Sequence, residues 1–241
     1  MSSLPTSLGR AAIALCLPVL LLTSSVLLMT QATPFYRYAF AKYRVAETTG
    51  LTEAELVRAT KEMVAYFFQP TEPLAIEVNL GGLRRPLLNQ REIDHLRDVK
   101  QIFGLVQVSQ LASGVAYLVV TGALLAWAGT RGRWAVASGL LWGGGLTLGL
   151  LTAAALGVLL DFDGLFVRFH LISFSNDLWQ LDPSRDYLIM MFPLGFWLEA
   201  ALLVVALTAA LAALTWGLGW FLLGRVPPQA AAPARETAAR G

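Results

Sequence analysis

WAVASGLLWGGGLTLGLLTAAALGVLL, residues 134–160, contains no charged side chain. An α-helix rises about 1.5 Å per residue and the hydrocarbon of a bilayer is about 30 Å thick, so roughly 20 apolar residues cross it. The run therefore predicts a transmembrane helix. Its glycines Gly143, Gly144 and Gly145, like those of WGLGW (216–220), lie inside apolar runs, where close helix packing explains them better than phosphate binding. Two further runs, 105–129 and 194–223, are also long enough to span.

The first apolar run, AAIALCLPVLLLTSSVLLMT (11–30), follows Arg10 as a signal peptide would. Its exit, MTQATPFYRY, offers no A-x-A cleavage site, and leucine at position 15 argues against a lipidated cysteine at Cys16. We read it as a retained span. The predicted fold class is mainly α: a polytopic membrane protein with four transmembrane helices and a small extracytoplasmic α+β domain.

Composition agrees. The chain of 241 residues is 56% hydrophobic and 14% charged, with mean hydropathy +0.60, against about 25% charged in a soluble domain. A net charge of +2, without basic runs interleaved with aromatics, argues against a nucleic-acid partner. The single cysteine, Cys16, excludes a disulfide framework and a thiolate metal cluster.

Charge in the short connections sets the expected orientation. Arg10, Arg131, Arg133 and Arg225 lack acidic neighbours, and such positive segments stay cytoplasmic. Residues 161–193 carry five aspartates against two arginines. The expected order is a cytoplasmic N-terminus (1–10), span 11–30, an extracytoplasmic domain (31–104), span 105–129, a cytoplasmic turn (130–133), span 134–160, an extracytoplasmic active-site loop (161–193), span 194–223 and a disordered cytoplasmic tail (224–241).

Within 31–104, GLTEAELVRATKEMVAYFF predicts a helix. Thr52 and Glu55 form a capping box, Leu51 can staple onto Leu56, and Leu56, Val57, Thr60, Met63, Val64, Phe67 and Phe68 share one face. LAIEVNL (74–80) alternates as a strand that Gly81-Gly82 ends. Asn89 opens another helix that runs into the span at 105.

The chain has two histidines, His95 and His170. Each stands about ten residues from an expected membrane boundary on the outer side, and imidazole titrates where proton transfer near neutral pH needs it. His95 lies in EIDHLRD, with Asp98 three residues on and Arg91 four back, so both flank it on one helix face. A carboxylate there can orient the ring; a mixed-charge surface helix would look the same. His170 has apolar neighbours, Phe166, Phe169, Leu171 and Phe174, which would desolvate it and lower its pKa, whether it serves as a base or as a satisfied core residue. Asn176 can donate to an oxyanion or form a turn, and Asp177 can cap a turn. Asp182-Pro183 reads as a helix N-cap followed by proline, and Trp179, Tyr187 and Trp197 as an interfacial belt. No H-E-x-x-H or G-x-S-x-G frame occurs; Ser173 and Ser175 near His170 are undistinguished nucleophile candidates. Glu199, inside the last apolar run, is a functional candidate because acids are costly there.

EIDHLRDVK (92–100) and FHLISFSNDLWQLDPSRDYLIMMFPLGFW (169–197), in a four-span chain with one large outer segment, resemble the bacterial lipoprotein intramolecular transacylases (Lit). The resemblance implies an acyltransferase of the bacterial inner membrane. Its partners would be a diacylglyceryl-modified lipoprotein and membrane lipid. The enzyme would move the sn-2 acyl chain to the α-amine of the lipoprotein's N-terminal cysteine, giving the lyso form. The two catalytic histidines of the family would correspond to His95 and His170. We expect one to act as base and the other as acid or oxyanion donor, with Asn176, Asp98, Asp177 and Arg168 supporting them by orienting or donating, and with neither metal nor cofactor required. The competing readings are a membrane lipid or lipoprotein esterase using the same histidines and a non-catalytic assembly protein.

Overall fold

The computed structural model describes residues 4–70 and 74–227. In chain order its elements are α1 (Leu4–Thr30), α2 (Thr33–Lys42), α3 (Val45–Thr49), α4 (Glu53–Phe68), β1 (Glu77–Leu80), β2 (Leu83–Pro86), α5 (Gln90–Trp127), α6 (Gly129–Leu160), α7 (Phe162–Ser173), α8 (Tyr187–Met191) and α9 (Leu194–Leu223). Four of them, α1, α5, α6 and α9, are long and apolar enough to cross a membrane. Large side chains on them, such as Leu111, Leu118, Trp142 and Trp220, are exposed, as lipid-facing positions must be. The protein is a mainly α, multi-pass membrane protein with one small two-stranded sheet.

Helix limits differ from the hydropathy boundaries for local reasons. α1 begins at Leu4 rather than at residue 11, because helix propagation through Arg10 costs little. α5 is 38 residues long, about 57 Å at 1.5 Å per residue, nearly twice the hydrocarbon thickness. It joins the polar stretch QREIDHLRDVKQ without a break to the apolar run expected as a span over 105–129. α6 starts at Gly129, whose φ of 55° suits only glycine readily. Arg131 and Arg133 thus ride in the first two turns of α6, not in a loop over 130–133. Of the tail expected at 224–241, residues 228–241 lie outside the described residues.

The chain divides into two compact units. The first comprises Met1–Ser25, Val108–Ala154 and Val205–Gly241. Its core is Ile13, Leu17, Leu124, Ala135, Val136 and Leu140. A Cβ on Gly144 would sit 2.7 Å from the backbone nitrogen of Trp216, and one on Gly219 would sit 2.5 Å from that of Leu141. These glycines let the backbones of α6 and α9 touch, the use predicted for them.

The second unit comprises Val26–Gln107 and Ala155–Val204. Its core joins Phe35, Ala39 and Phe40 of α2, Leu56, Ala59 and Met63 of α4, Val78 of β1, Leu96 of α5, and Met191 and Phe196. Thr52 caps α4 by accepting from the Glu55 backbone N–H at 3.3 Å, but the Glu55 carboxylate turns to Arg58 at 2.5 Å, so only half of the predicted box forms. Along α4 the buried face includes Tyr66, while Phe68 is exposed; Phe67 stacks on Phe103 with ring centroids 4.6 Å apart.

The strand predicted over 74–80 shortens to β1, which pairs antiparallel with β2 in the register Val78↔Arg85 and Asn79↔Arg84. Gly81 and Gly82, with φ of 62° and 85°, make the two-residue hairpin that positive φ permits. Within the segment expected as a loop over 161–193, residues Phe162–Ser173 form the helix α7, while the helix start expected at Asp182-Pro183 is a turn: the Asp182 carboxylate accepts from the Ser184 N–H and hydroxyl at 2.9 and 2.7 Å. The helix that follows has Asp186 at its N-cap position.

Candidate active site

The first turn of α5 anchors one side of the site. Asn89 and Glu92 form a reciprocal capping box: the Glu92 carboxylate accepts from the Asn89 N–H at 2.8 Å and the Asn89 side-chain oxygen from the Glu92 N–H at 3.1 Å. The other Glu92 oxygen accepts from the Leu188 N–H at 2.7 Å. Asp186 accepts from the Asn89 amide at 2.8 Å and from the Asp182 N–H at 2.7 Å. Glu92 and Asp186 are 0% and 1% exposed. Burial, opposed by the N–H groups of Leu188 and Asn89, raises the Glu92 pKa. This clasp ties the turn preceding His95 to the start of α8.

His95 follows one turn later, and His170 sits in the last turn of α7, a helix capped by Asp161 through the Gly164 N–H at 2.9 Å. The two imidazole centroids are 6.1 Å apart, and the residues are 7% and 8% exposed. Phe174 covers both, at 5.3 Å from the His95 ring and 5.6 Å from the His170 ring. Phe166 and Trp179 flank His170 at 4.3 and 4.9 Å. Trp179, read from sequence as part of an interfacial belt, packs its ring against His170.

His170 Nδ1 lies 2.7 Å from the Phe166 carbonyl. A carbonyl only accepts, so Nδ1 carries the hydrogen and, in the neutral ring, Nε2 carries the lone pair. His95 Nδ1 is buried and has no hydrogen-bond partner. Both rings lie in the parts of the chain outside the apolar spans. Burial lowers the His170 pKa, opposed by the Phe166 hydrogen bond. Burial, then the neighbouring His170, lowers that of His95 to about 4; Asp98 opposes this shift and Arg91 adds to it. Both imidazoles are neutral at pH 7.

The flanking residues of α5 reach the connector rather than the ring between them. The Arg91 Nη2 donates to the Asp177 carbonyl and lies 3.5 Å from the Asp177 carboxylate. The Asn176 amide donates to Asp98 at 2.8 Å, and its oxygen accepts from the Leu178 N–H at 3.1 Å. Asp98 is thus bonded to the connector, and Asn176 and Asp177 tie the segment carrying Phe174 and Trp179 to α5. Arg168 is set apart: its guanidinium, on exposed surface, is 3.6 Å from Asp161, and two residues of helix turn it about 200° from His170. Ser173 and Ser175 are exposed. Glu199 meets Lys42 and the Tyr43 hydroxyl, the latter at 3.0 Å, which accounts for an acid in an apolar run. Among the described residues no group of three or more His, Cys, Asp or Glu could hold a metal ion.

In sequence Asn89 was read as the start of a helix, but Glu92 and Asp186 were passed over. The signal for Glu92 was present: N-x-x-E before an apolar-periodic run is a capping box. Nothing local marks the bond from Asp186 to Asn89, 97 residues away.

A sequence model described as "Lipoprotein intramolecular transacylase Lit" matches residues 11–197. Comparison with curated proteins gives no match. Among solved structures, the membrane integral lipoprotein intramolecular transacylase Lit from Bacillus cereus superposes with a TM-score of 0.77 at 22% identity, covering 91% of this chain and 96% of that one. A histidine-to-alanine mutant of the same protein gives 0.72 at 21% identity over 91% and 94%. The likeness in fold and the match of the family model over most of the chain lead to one conclusion: this chain belongs to the lipoprotein intramolecular transacylase (Lit) family of integral membrane acyltransferases.

Proposed function

We propose that His95 and His170 form the catalytic pair of this acyltransferase. The pair moves the sn-2 acyl group of a diacylglyceryl-modified lipoprotein onto the α-amine of the same lipoprotein's N-terminal cysteine. The observation that carries the assignment is the approach of two buried imidazoles to 6.1 Å from segments 75 residues apart (170 − 95), one of them with its tautomer set by a backbone carbonyl.

The chemistry follows from that tautomer. Ester and amine belong to one substrate, so no enzyme nucleophile is needed, and correct positioning can supply about 7–11 kcal/mol of the barrier. The amine nitrogen bonds to the ester carbon as His170 Nε2 takes its proton and the carbonyl electrons move onto oxygen. Collapse of that intermediate breaks the bond to the glycerol oxygen, which takes a proton from the imidazolium, with His95 assisting as a hydrogen-bond donor. The products are an amide and a free glycerol hydroxyl, and no water is consumed. An α-amine titrates near pH 7.7–8.0, so an imidazole that stays unprotonated at pH 7 is free to accept its proton.

Lipid has a surface to meet. Phe169, Leu171 and Ile172 on α7, adjacent to His170, are 52%, 63% and 87% exposed, an apolar face suited to the acyl boundary of a bilayer. Following the arginines at 10, 131, 133 and 225, we place both termini in the cytoplasm and residues 31–104 and 161–193 outside the bacterial inner membrane. Asp98, Asn176 and Asp177 act as orienting residues in this reading.

Mass spectrometry of lipoprotein N-termini, with and without expression of the chain in a host whose lipoproteins otherwise keep a free α-amine, tests the reading. N-acyl, S-monoacylglyceryl termini are expected. Unchanged termini, or deacylated lipoprotein with released fatty acid, would overturn it, the latter in favour of an esterase.

A further inference from the structure

The reaction places a negative charge on the ester oxygen, and the donors first considered for it are engaged elsewhere. Asn176 donates to Asp98, and Arg168 faces Asp161. One charged donor near the pair is both buried and unused: Arg91 Nε has no hydrogen-bond partner although it is shut off from solvent. An unpaired buried N–H is costly, and folding rarely leaves one uncompensated. It also stands one helical turn before His95, on the same face of α5. The Nη2 end of the guanidinium is held outside by Asp177, leaving Nε–H on the buried side. His95 Nδ1 is the other orphaned atom of this face, so two polar atoms one turn apart have no partner among the described residues.

We propose that Arg91 is a catalytic residue of this site, its Nε–H donating a hydrogen bond to the ester carbonyl oxygen of the substrate as that oxygen becomes an oxyanion. This inference rests on the acyl-transfer reading above. No proton moves from arginine. The guanidinium remains charged throughout, the electron pair of the carbonyl π bond rests on oxygen while the amine is attached, and it returns when the bond to the glycerol oxygen breaks. Asp177 is then a positioning residue that fixes the guanidinium from outside, and Arg91 is worth more at the transition state than at the neutral ester, because the hydrogen bond strengthens as charge develops.

The test uses the full chain, purified in detergent, with a synthetic diacylglyceryl-cysteinyl lipopeptide. Arg91→Ala is expected to lose about 100- to 1000-fold in kcat, the effect of removing one oxyanion donor, with KM changed less than about threefold. Added methylguanidinium should restore at least about tenfold. Arg91→Lys, which keeps charge but not the planar fork, should stay at least about tenfold below the parent chain; it carries the same test if the alanine variant fails to fold. Asp177→Asn should lose less than about tenfold. A purely structural role for Arg91 would give no rescue by guanidinium, and that result overturns the proposal, as does a loss confined to KM. His170→Ala, assayed alongside, separates the two levels: an active H170A variant brings down the acyl-transfer site itself, whereas an inactive H170A with a fully active R91A or R91K variant removes Arg91 alone.

Discussion

Glu92 and His95 lie one turn apart on α5, both buried, and their polar atoms are treated oppositely. Both Glu92 oxygens accept backbone N–H groups at 2.7–2.8 Å, and Asp186 beside it is equally engaged. Around His95, Nδ1 and the neighbouring Arg91 Nε have no partner. A buried polar group that is fully bonded specifies structure; one left open costs stability and persists where a ligand completes it. The clasp thus reads as scaffold and the imidazole pair as chemistry, within a few residues of the same helix.

Substitutions can break that contrast. His170→Ala removes the proposed base and should lower transacylation by about 10²- to 10⁴-fold, measured as the rate of N-acylation of a lipopeptide; a loss below tenfold would remove His170 from the chemistry. Glu92→Ala should act on stability instead. It strands the N–H groups of Leu188 and Asn89, each at about 1–3 kcal/mol, and should lower the midpoint of thermal unfolding in detergent by several degrees. An unchanged midpoint would show that the clasp is not the scaffold.

The pH dependence sharpens the same contrast. His95 titrates near 6.5 when unfolded and is held at about 4 when folded. Between those values the unfolded chain binds the extra proton, so stability falls as pH falls from about 6.5 to 4, by at most about 3 kcal/mol. Unfolding midpoints taken across that range should drop in the parent chain and drop less in His95→Gln. Activity should behave differently: because both imidazoles are already neutral at pH 7, the rate should rise toward pH 8 with deprotonation of the substrate amine. A rate limb that moves when the substrate amine's pKa is lowered chemically confirms this, and one that stays in place assigns the limb to the protein. The smallest effect is expected from Arg168→Ala. The sequence pattern predicts a loss of activity there, whereas the guanidinium's exposed position beside Asp161 predicts a rate within about twofold of the parent chain.

The spans and the long helix through the second of them were legible because hydropathy acts locally. The same holds for the capping of α4 by Thr52 and the ending of β1 by Gly81-Gly82. α2, α3, β2 and α7 were not read. Their strongest determinants are contacts with distant partners, such as Phe35 with Phe196 at 5.1 Å. Asp182-Pro183 misled because the same dipeptide serves a turn as well as an N-cap; only the Ser184 hydroxyl and Asp186 bonds of the folded chain separate the two.

For the site, residue type and placement near a span edge were enough to nominate His95 and His170, since imidazole chemistry and membrane depth are both properties of short segments. The roles of Arg91, Asn176, Asp177 and Arg168 were not decided there. Whether a polar side chain is satisfied depends on what chain 80 or 100 residues away brings to it, and on whether water is excluded. Those are properties of the packed structure alone, and they turned four similar-looking polar residues into one open donor, two clasps and one surface ion pair.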